Sequence, residues 1–384
     1  MPATTVGSAR QHLWPRRQPG RRALVIGILA LTAGTANAQF SRYADEIELK
    51  RLDFHPKPSF RREVGSEIYG VLDQALIWRR GDDPSYRCDQ LVQGGTSFGG
   101  LSASFVGFRS TEILGAGWRV HLTLEQGLRV NTGELPLCDS AFFDRTAGVG
   151  LSHRIWGRIE FGRLEQPAWR VALLADPWAG DSVASPGDRN YYDSPANRSN
   201  NAILYTSPET AGWTFQFFGT ARASPGLFFQ SERAAQDDAV EASKRPANEL
   251  GLAIRYQSGG LTTAAGWQRW SAGTWAWPVS VVYTLDHWRG YAGLTVGQSE
   301  GKDYRNLLLG AAIPERSGPH PGEWRFGLNL HRIDGQPSQR KFSAGHVCPF
   351  SKRTALQMEL SVEPRPGAAT QARLGFGIRH AFTL

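Results

Sequence analysis

A two-residue alternation from Trp118 to Val130 constrains this chain most. Trp118, Val120, Leu122, Leu124, Leu128 and Val130 are apolar, while Arg119, His121, Thr123, Glu125, Gly127 and Arg129 are charged, polar or glycine. A period of two makes a strand with one apolar face and one wet face. A strand of this length crosses a bilayer when tilted. The same alternation recurs in Trp324, Phe326, Leu328 and Leu330 against Arg325, Gly327, Asn329 and His331, and in Leu374, Phe376 and Ile378 against Arg373, Gly375, Gly377 and Arg379. Leu250, Leu252, Ile254 and Tyr256 share one face, as do Trp275, Trp277, Val279, Val281, Tyr283 and Leu285. Many strands of this kind describe a membrane barrel, with lipid outside and water inside.

The pattern predicts about sixteen strands, near 67–78, 101–110, 117–130, 141–152, 156–164, 200–207, 211–221, 248–257, 260–270, 275–286, 289–299, 305–313, 322–333, 340–349, 353–363 and 371–382. Long connections are expected after odd strands (79–100, 131–140, 165–199, 222–247 and 364–370) and mostly short ones after even strands, with 314–321 a longer exception. Outer-membrane barrels have this asymmetry, with short periplasmic turns and long outer loops. The fold class read from the sequence is therefore all-β, a transmembrane antiparallel β-barrel over 67–384. A propeller would show a repeat of about 40–50 residues, and none is present.

Composition excludes other classes. Hydrophobic residues make up 41% of the chain, the mean hydropathy is −0.36, and past the N-terminus no run of about 20 apolar residues occurs, so a bundle of membrane helices is ruled out. Glycine (43), Trp (13), Phe (19) and Tyr (10) fit close strand packing and aromatic girdles. The formal charge of +8 is partly a property of the leader. Residues 1–38 hold five arginines and no acid, leaving 38 basic against 35 acidic residues beyond them. No basic cluster with interleaved aromatics points to nucleic acid.

Arg21-Arg22, the apolar run Ala23–Ala33 and Ala36-Asn37-Ala38 form the three parts of a signal peptide, so 1–38 is expected to be cleaved. Residues 39–66 are charged, carry Pro56 and Pro58, and read as an N-terminal extension. Three cysteines are few; a Cys88–Cys138 bridge and incidental thiols both fit, with Cys348 left over. No cysteine or histidine spacing points to a metal, and no cofactor motif occurs.

Several stretches, taken in order, resemble the sixteen-stranded general-diffusion porins of Gram-negative β-proteobacteria. They are Ile68-Tyr69-Gly70-Val71-Leu72-Asp73, Val106-Gly107-Phe108-Arg109-Ser110-Thr111-Glu112 with Leu114-Gly115, Phe143-Asp144-Arg145 through Val149-Gly150-Leu151, and Phe161-Gly162-Arg163. Asn200 through Pro208, Ser351-Lys352-Arg353-Thr354 and Gly377 through Phe382 complete the series. The resemblance implies a passive water-filled channel rather than an enzyme, a homotrimer set in outer-membrane lipid and lipopolysaccharide, and a third loop, here 165–199, folded into the lumen as a constriction. On that loop Glu165, Asp176, Asp181, Asp188 and Asp193 are the expected acids, beside Arg170, Arg189 and Arg198. Acids there would face a basic wall, and charged rings set which ions pass.

By parity the wet faces carry Arg119, His121, Arg129, Arg158, Arg255, Arg325, Arg373 and Arg379, with Asp73, Glu125 and Glu160. Arg109, Arg119 and Arg158 are favoured for the constriction because they lie on the early strands that flank the third loop in the family. Arg holds anions well, since its charge does not titrate and its fork is rigid. The chain departs from the family at Phe105, commonly Arg there, and at Leu204, commonly basic; both are expected to face the pore. Thr383-Leu384 follow Phe382, whereas the family ends in the Phe read by the barrel-assembly machinery. Competing readings are a substrate-specific, narrowed channel and a secreted soluble β-rich binding protein or a glycosidase using Glu125 with Glu160.

Overall fold

The computed structural model describes residues 64–81, 95–135, 142–180, 182–186, 197–221, 249–271, 274–299, 301–315, 322–365, 367 and 369–384. The expected leader, most of the extension, Cys88, Cys138, Asp181, Asp188, Arg189 and Asp193 lie outside these residues. Among them, seventeen strand segments form one antiparallel sheet. The first six are β1 (Gly65–Arg80), β2 (Gly95–Gly99), β3 (Ser104–Gly115), β4 (Trp118–Leu128), β5 (Thr146–His153) and β6 (Gly157–Glu165). A helix, α1 (Pro167–Leu174), then precedes β7 (Arg198–Thr206), β8 (Trp213–Thr220), β9 (Leu250–Ser258), β10 (Leu261–Ser271), β11 (Thr274–Thr284) and β12 (Arg289–Ser299). The last five are β13 (Lys302–Glu315), β14 (Gly322–Ile333), β15 (Gln339–Pro349), β16 (Thr354–Glu363) and β17 (Gln371–Thr383).

Apart from β2 and β3, which do not pair with each other, each segment pairs with its sequence neighbours, and β1 pairs with β17, so the sheet closes. Both β2 and β3 lie against β1, β2 along Ala75–Arg79 and β3 along Gly65–Val71. They share one position in the wall, so seventeen segments make sixteen staves. The expected strand at 101–110 starts later, at Ser104. Asp73 holds the break: its carboxylate accepts from Leu101 N (2.7 Å) and the Ser102 hydroxyl (2.9 Å), and its own N–H donates to Ser104 Oγ (2.8 Å). The expected strand at 141–152 likewise starts late, at Thr146, because Phe143 adopts φ 61° and the Asp144 carboxylate takes the Gly127 N–H at 2.7 Å. The other fourteen expected strands coincide with observed ones to within a few residues.

The expected length asymmetry of the connections holds only for part of the wall. Two residues separate β10 from β11 and β12 from β13, and five separate β14 from β15, at the end where long connections were expected. The long ones cluster on the first half of the barrel.

Alternation fixes the faces. Outward side chains form an apolar band that includes Trp277 (51% exposed) and Phe376 (52%). A band of this extent on a soluble protein would drive association; on a barrel it is the lipid face. Near the short-turn end aromatic pairs ring the outside: Trp118–His153 at 4.9 Å, Trp213–Tyr256 at 4.6 Å and Trp324–His346 at 4.5 Å. Such belts sit at headgroup level, where an amphipathic ring is both wet and greasy. Cys348 is a free thiol on β15.

The residues after β6 turn inward and line the barrel. Pro167 opens α1 at the first helical turn, where its missing N–H costs nothing. Gln166, just before it, is fully buried; its amide donates to Ser199 Oγ (2.9 Å) and accepts from Trp270 Nε1 (3.1 Å). Val171 and Leu174 pack on Ala253, Ala264, Val282, Tyr291 and Ala312 of β9–β13. Ala168, Ala172 and Ala175 pack on Trp270, Ala276, Tyr304 and Leu308. Burial of this kind is worth about 1.5–3 kcal/mol per Val or Leu side chain, enough to fix a helix too short to be stable alone.

Candidate pore constriction

Beyond α1 the segment continues along the inner wall to Pro186, and the wall is cut away to receive it. A Cβ built on Gly266 would meet Ala168 at 3.1 Å, on Gly293 Ala175 at 2.6 Å and on Gly310 Pro177 at 2.5 Å. On Gly327 it would meet Pro186 at 2.8 Å, on Gly345 Trp178 at 3.1 Å and on Gly375 Leu101 at 2.2 Å. These glycines stand on β10, β12, β13, β14, β15 and β17. None has a positive φ, so space rather than backbone conformation demands them. They form a track that seats residues 168–186. At its far end the Ser182 hydroxyl donates to the Glu359 carboxylate of β16, and Val183 N donates to Leu101 O at 3.1 Å.

Asp176 sits at the bend. It is 1% exposed, and its carboxylate accepts from Trp178 N (2.7 Å), Gly180 N (3.2 Å) and the Ser185 hydroxyl. Three donors turn this acid into its own segment, away from the lumen face expected for it.

The wall residues expected at the constriction lie on β3, β4, β6 and β7. At the mouth of the segment, a β-bulge between Gly162 (φ 133°) and Leu164 shifts the β6–β7 register. Glu165 follows, held between Arg170 Nε (2.9 Å) and Arg198 Nη2 (3.3 Å). Arg158 pairs with Glu160 at 2.6 Å, and Arg109 with Glu67. Arg119 is half-buried on β4, one rung from His121, whose ring bridges Thr111 Oγ1 (3.1 Å) and Ser152 Oγ (2.6 Å).

The two apolar departures both face inward and are both covered. Phe105 lies under the Arg145 guanidinium, 4.6 Å from its ring centroid, and meets Tyr69 edge-on at 6.0 Å. Arg145 also pairs with Glu125 at 3.7 Å, and Glu125 accepts from the Tyr69 hydroxyl at 2.7 Å. Arg109 lies over the other aromatic ring, 4.6 Å from the Tyr69 centroid. Leu204 is 2% exposed, in a cluster with Leu164, Ala202 and Phe218. Sequence reasoning overlooked Arg145, Tyr69 and Glu67. Arg145 and Tyr69 lie in stretches that resemble the family, and their odd positions, shared with Glu125 and Phe105, were the available signal.

Arg109, Arg145, Arg158 and Arg198 each have a carboxylate partner on the same or an adjacent stave. In a partly dry site such pairing is what keeps so many guanidiniums tolerable. Glu125 and Glu160 are each engaged by a guanidinium.

A family model for Gram-negative porins matches residues 23–362. The chain belongs to the Gram-negative porin family. It is similar to an outer membrane porin protein of Bordetella pertussis, 24% identical over 379 residues that cover 83% of this chain and 95% of the relative. Among solved structures it is similar to the anion-selective porin from Comamonas acidovorans, with a TM-score of 0.67 and 21% identity over 83% of this chain and all of that one. The OmpF of Salmonella typhi matches with a TM-score of 0.61 and 12% identity, covering 83% and 98%. A trimer form of Vibrio cholerae OmpT matches at 0.54 and 12%, covering 83% and 99%. At these identities the structural neighbours speak to the fold. The porin is thus an outer-membrane β-barrel and a passive diffusion channel for small hydrophilic solutes.

Proposed function

We propose that this porin is narrowed by residues 165–199 and prefers small anions. Arginine at the eyelet carries the reading. Arg109, Arg119, Arg145, Arg158, Arg170 and Arg198 stand against Glu67, Glu125, Glu160 and Glu165, and Asp176 is turned away from the lumen. Farther along the wall Arg79, Arg255, Arg289, Arg325, Arg373 and Lys341 outnumber Asp73, Glu323, Glu359 and Glu363. Fixed positive charge in a narrow, low-dielectric passage draws anions and repels cations. Asp181, Asp188 and Asp193, outside the described residues, would oppose this preference where they reach the lumen. Reversal potentials of the purified porin in a planar bilayer, under a potassium chloride gradient, test the sign. A cation-selective potential refutes the proposal.

A narrower, solute-selective eyelet is the second reading. Phe105 and Leu204 support it, because both stand inward where the family carries basic residues. The Arg145 guanidinium over Phe105 argues against it by returning a cation to that spot. A single-channel conductance far below that of an open diffusion pore would favour the narrow form.

We also read the barrel as one protomer of a homotrimer, preceded by a cleaved signal at 1–38 and inserted by the barrel-assembly machinery. Its environment is then outer-membrane lipid and lipopolysaccharide. Leu384 N donates to Ile68 O at 2.9 Å, so the residues past Phe382 extend the last ladder. The mass of the detergent-solubilised particle, with and without boiling, tests the trimer.

A further inference from the structure

One stave of the wall is broken, and the residues in the break reach the channel. Against β1, β2 covers Ala75–Arg79 and β3 covers Gly65–Val71, so among the described residues Leu72, Asp73 and Gln74 have no strand partner on that side. Buried backbone left unpaired is costly, yet this break is tightly built. Ser104 Oγ takes the Asp73 N–H and also donates to Asp73 O at 3.2 Å, standing in for a ladder partner. A Cβ on Gly100 would strike Ser102 O and lie 3.2 Å from Asp73 O, so only glycine fits there.

Inside the break, Leu101 points into the barrel. It is fully buried in a cluster with Ala75, Ile77 and Val183. Ala75 and Ile77 share the inward parity of Asp73 on β1, so the cluster is apolar and stands on the wet side of the wall. The wall is notched for it at Gly375, where a Cβ would collide with the Leu101 side chain. Leu and Ile gain nothing from facing an open aqueous lumen, and they gain from a cover. Val183 is that cover: it is fully buried, and its N–H donates to Leu101 O at 3.1 Å. On the other side of Val183, the Ser182 hydroxyl and the Ala184 N–H (3.4 Å) reach the Glu359 carboxylate of β16. The far end of the inner segment is thus gripped from two sides.

We propose that residues 100–103 form a bracket that fixes the far end of the inner segment, with Leu101 and Asp73 as its positioning residues. Asp73 holds the break in shape, Leu101 fills the notch, and Val183 docks on Leu101. The break in the stave is what frees a carbonyl and an apolar side chain for this contact, since an unbroken strand would spend that carbonyl on its ladder. The proposal rests on the reading that residues 165–199 narrow the channel, and it names what keeps that width steady.

Cysteine labelling tests the docking without reference to conduction. Val183→Cys is placed in a background with Cys88, Cys138 and Cys348 changed to serine, and the folded porin is exposed to a methanethiosulfonate reagent small enough to enter the lumen. Labelling of a buried site tracks the population that opens locally. Added Asp73→Ala should speed labelling at least about tenfold, since a hydrogen bond to a charged group is worth roughly a factor of ten. Asp73→Asn removes the same charge but keeps an acceptor for Leu101 N and a partner for the Ser102 hydroxyl, so it should label at nearly the rate of the unaltered bracket. Heat-modifiable gel mobility reports folding, and if Asp73→Ala fails to fold, Leu101→Ala should speed labelling by a similar factor. Equal labelling with and without the folded Asp73→Ala or Leu101→Ala change, or equal acceleration by Asp73→Ala and Asp73→Asn, would overturn the bracket. Single-channel recording of the same variants, with all native cysteines and Val183 retained, should show excess open-channel noise in Asp73→Ala and little in Asp73→Asn. Faster labelling with a steady, unchanged current would keep the bracket and refute the narrowing instead.

Discussion

Replacing Gly310 with valine tests whether the track of glycines sets the width of the channel. An added Cβ would lie 2.5 Å from Pro177 Cγ and 2.8 Å from Pro177 Cδ. Carbon atoms rest about 3.5–4.0 Å apart, so Pro177 must retreat by about 1–1.5 Å for a methyl and farther for an isopropyl group. The neighbourhood cannot absorb that locally. Asp176 beside it is locked by three donors, and Trp178 is wedged against Gly327 and Gly345. The wall behind is hydrogen-bonded sheet, with Gly310 paired to Gly327 and to Tyr291. Only the lumen is free, so the segment moves into it, at an overpacking cost of about 1–3 kcal/mol.

The assay is single-channel conductance in planar bilayers, with heat-modifiable mobility to confirm a folded barrel. Conductance should fall in the order wild type, Gly310→Ala, Gly310→Val. Gly219→Val is the control, because a Cβ there meets nothing closer than 3.8 Å. Pro177→Ala in the Gly310→Val background removes the colliding ring atoms and should recover much of the loss, since contacting residues couple. A folded Gly310→Val barrel that conducts like wild type would refute the claim that the seated segment limits the pore.

Arg145→Ala should move the reversal potential toward the cation side, because it strips the guanidinium from Phe105 and leaves Glu125 with only the Tyr69 hydroxyl; Tyr69→Phe should leave ion preference unchanged. Glu165→Gln should strengthen anion preference by leaving Arg170 and Arg198 unpartnered by it. It should also lower stability by on the order of 2 kcal/mol, read as a lower unfolding temperature on gels and less than for a dry pair because water still reaches these side chains. Asp176→Ala should orphan three donors at about 1–3 kcal/mol each and make the open-channel current noisier. Its ion preference should stay that of wild type, and a shift in reversal potential would show that this acid faces the lumen after all.

Alternation made the wall legible because side-chain direction along a strand is a local property. Every charged residue assigned to a wet face by parity, from Asp73 to Arg379, stands on the side away from the lipid. Strand ends were legible only where a turn was local. The start of β3 depends on Asp73, about thirty residues earlier, and no window around Ser104 contains that information. The same holds for Asp176. An acid on an inserted loop reads as a pore charge, yet its direction is set by the turn through Ser185. The helix did leave a trace, since Pro167 precedes Ala168, Val171, Ala172 and Ala175 at helical spacing. Glycines at 266, 293, 310, 327, 345 and 375 occupy wet-face positions where a water-filled lumen tolerates any polar side chain. That run of empty positions was the sequence signature of something lying against the wall.

The charge at this rung of the wall belongs to a cross-strand cluster rather than to single positions. Phe105 would leave the wall without charge at that rung if side chains acted alone. Arg145, just before β5, reaches across to Phe105 on β3, lays its planar face on the ring, and keeps Glu125 of β4 as its counterion. The ring supplies a cation–π surface worth roughly 0.5–2 kcal/mol, and Glu125 is fixed in turn by Tyr69 of β1. Three neighbouring staves and the entry to a fourth thus hold a guanidinium at a site where the sequence of β3 alone argues for grease. An apolar residue in a pore wall should therefore be judged with the residues that register brings across from it. Here they convert the loss of one arginine into a change in which stave supplies it.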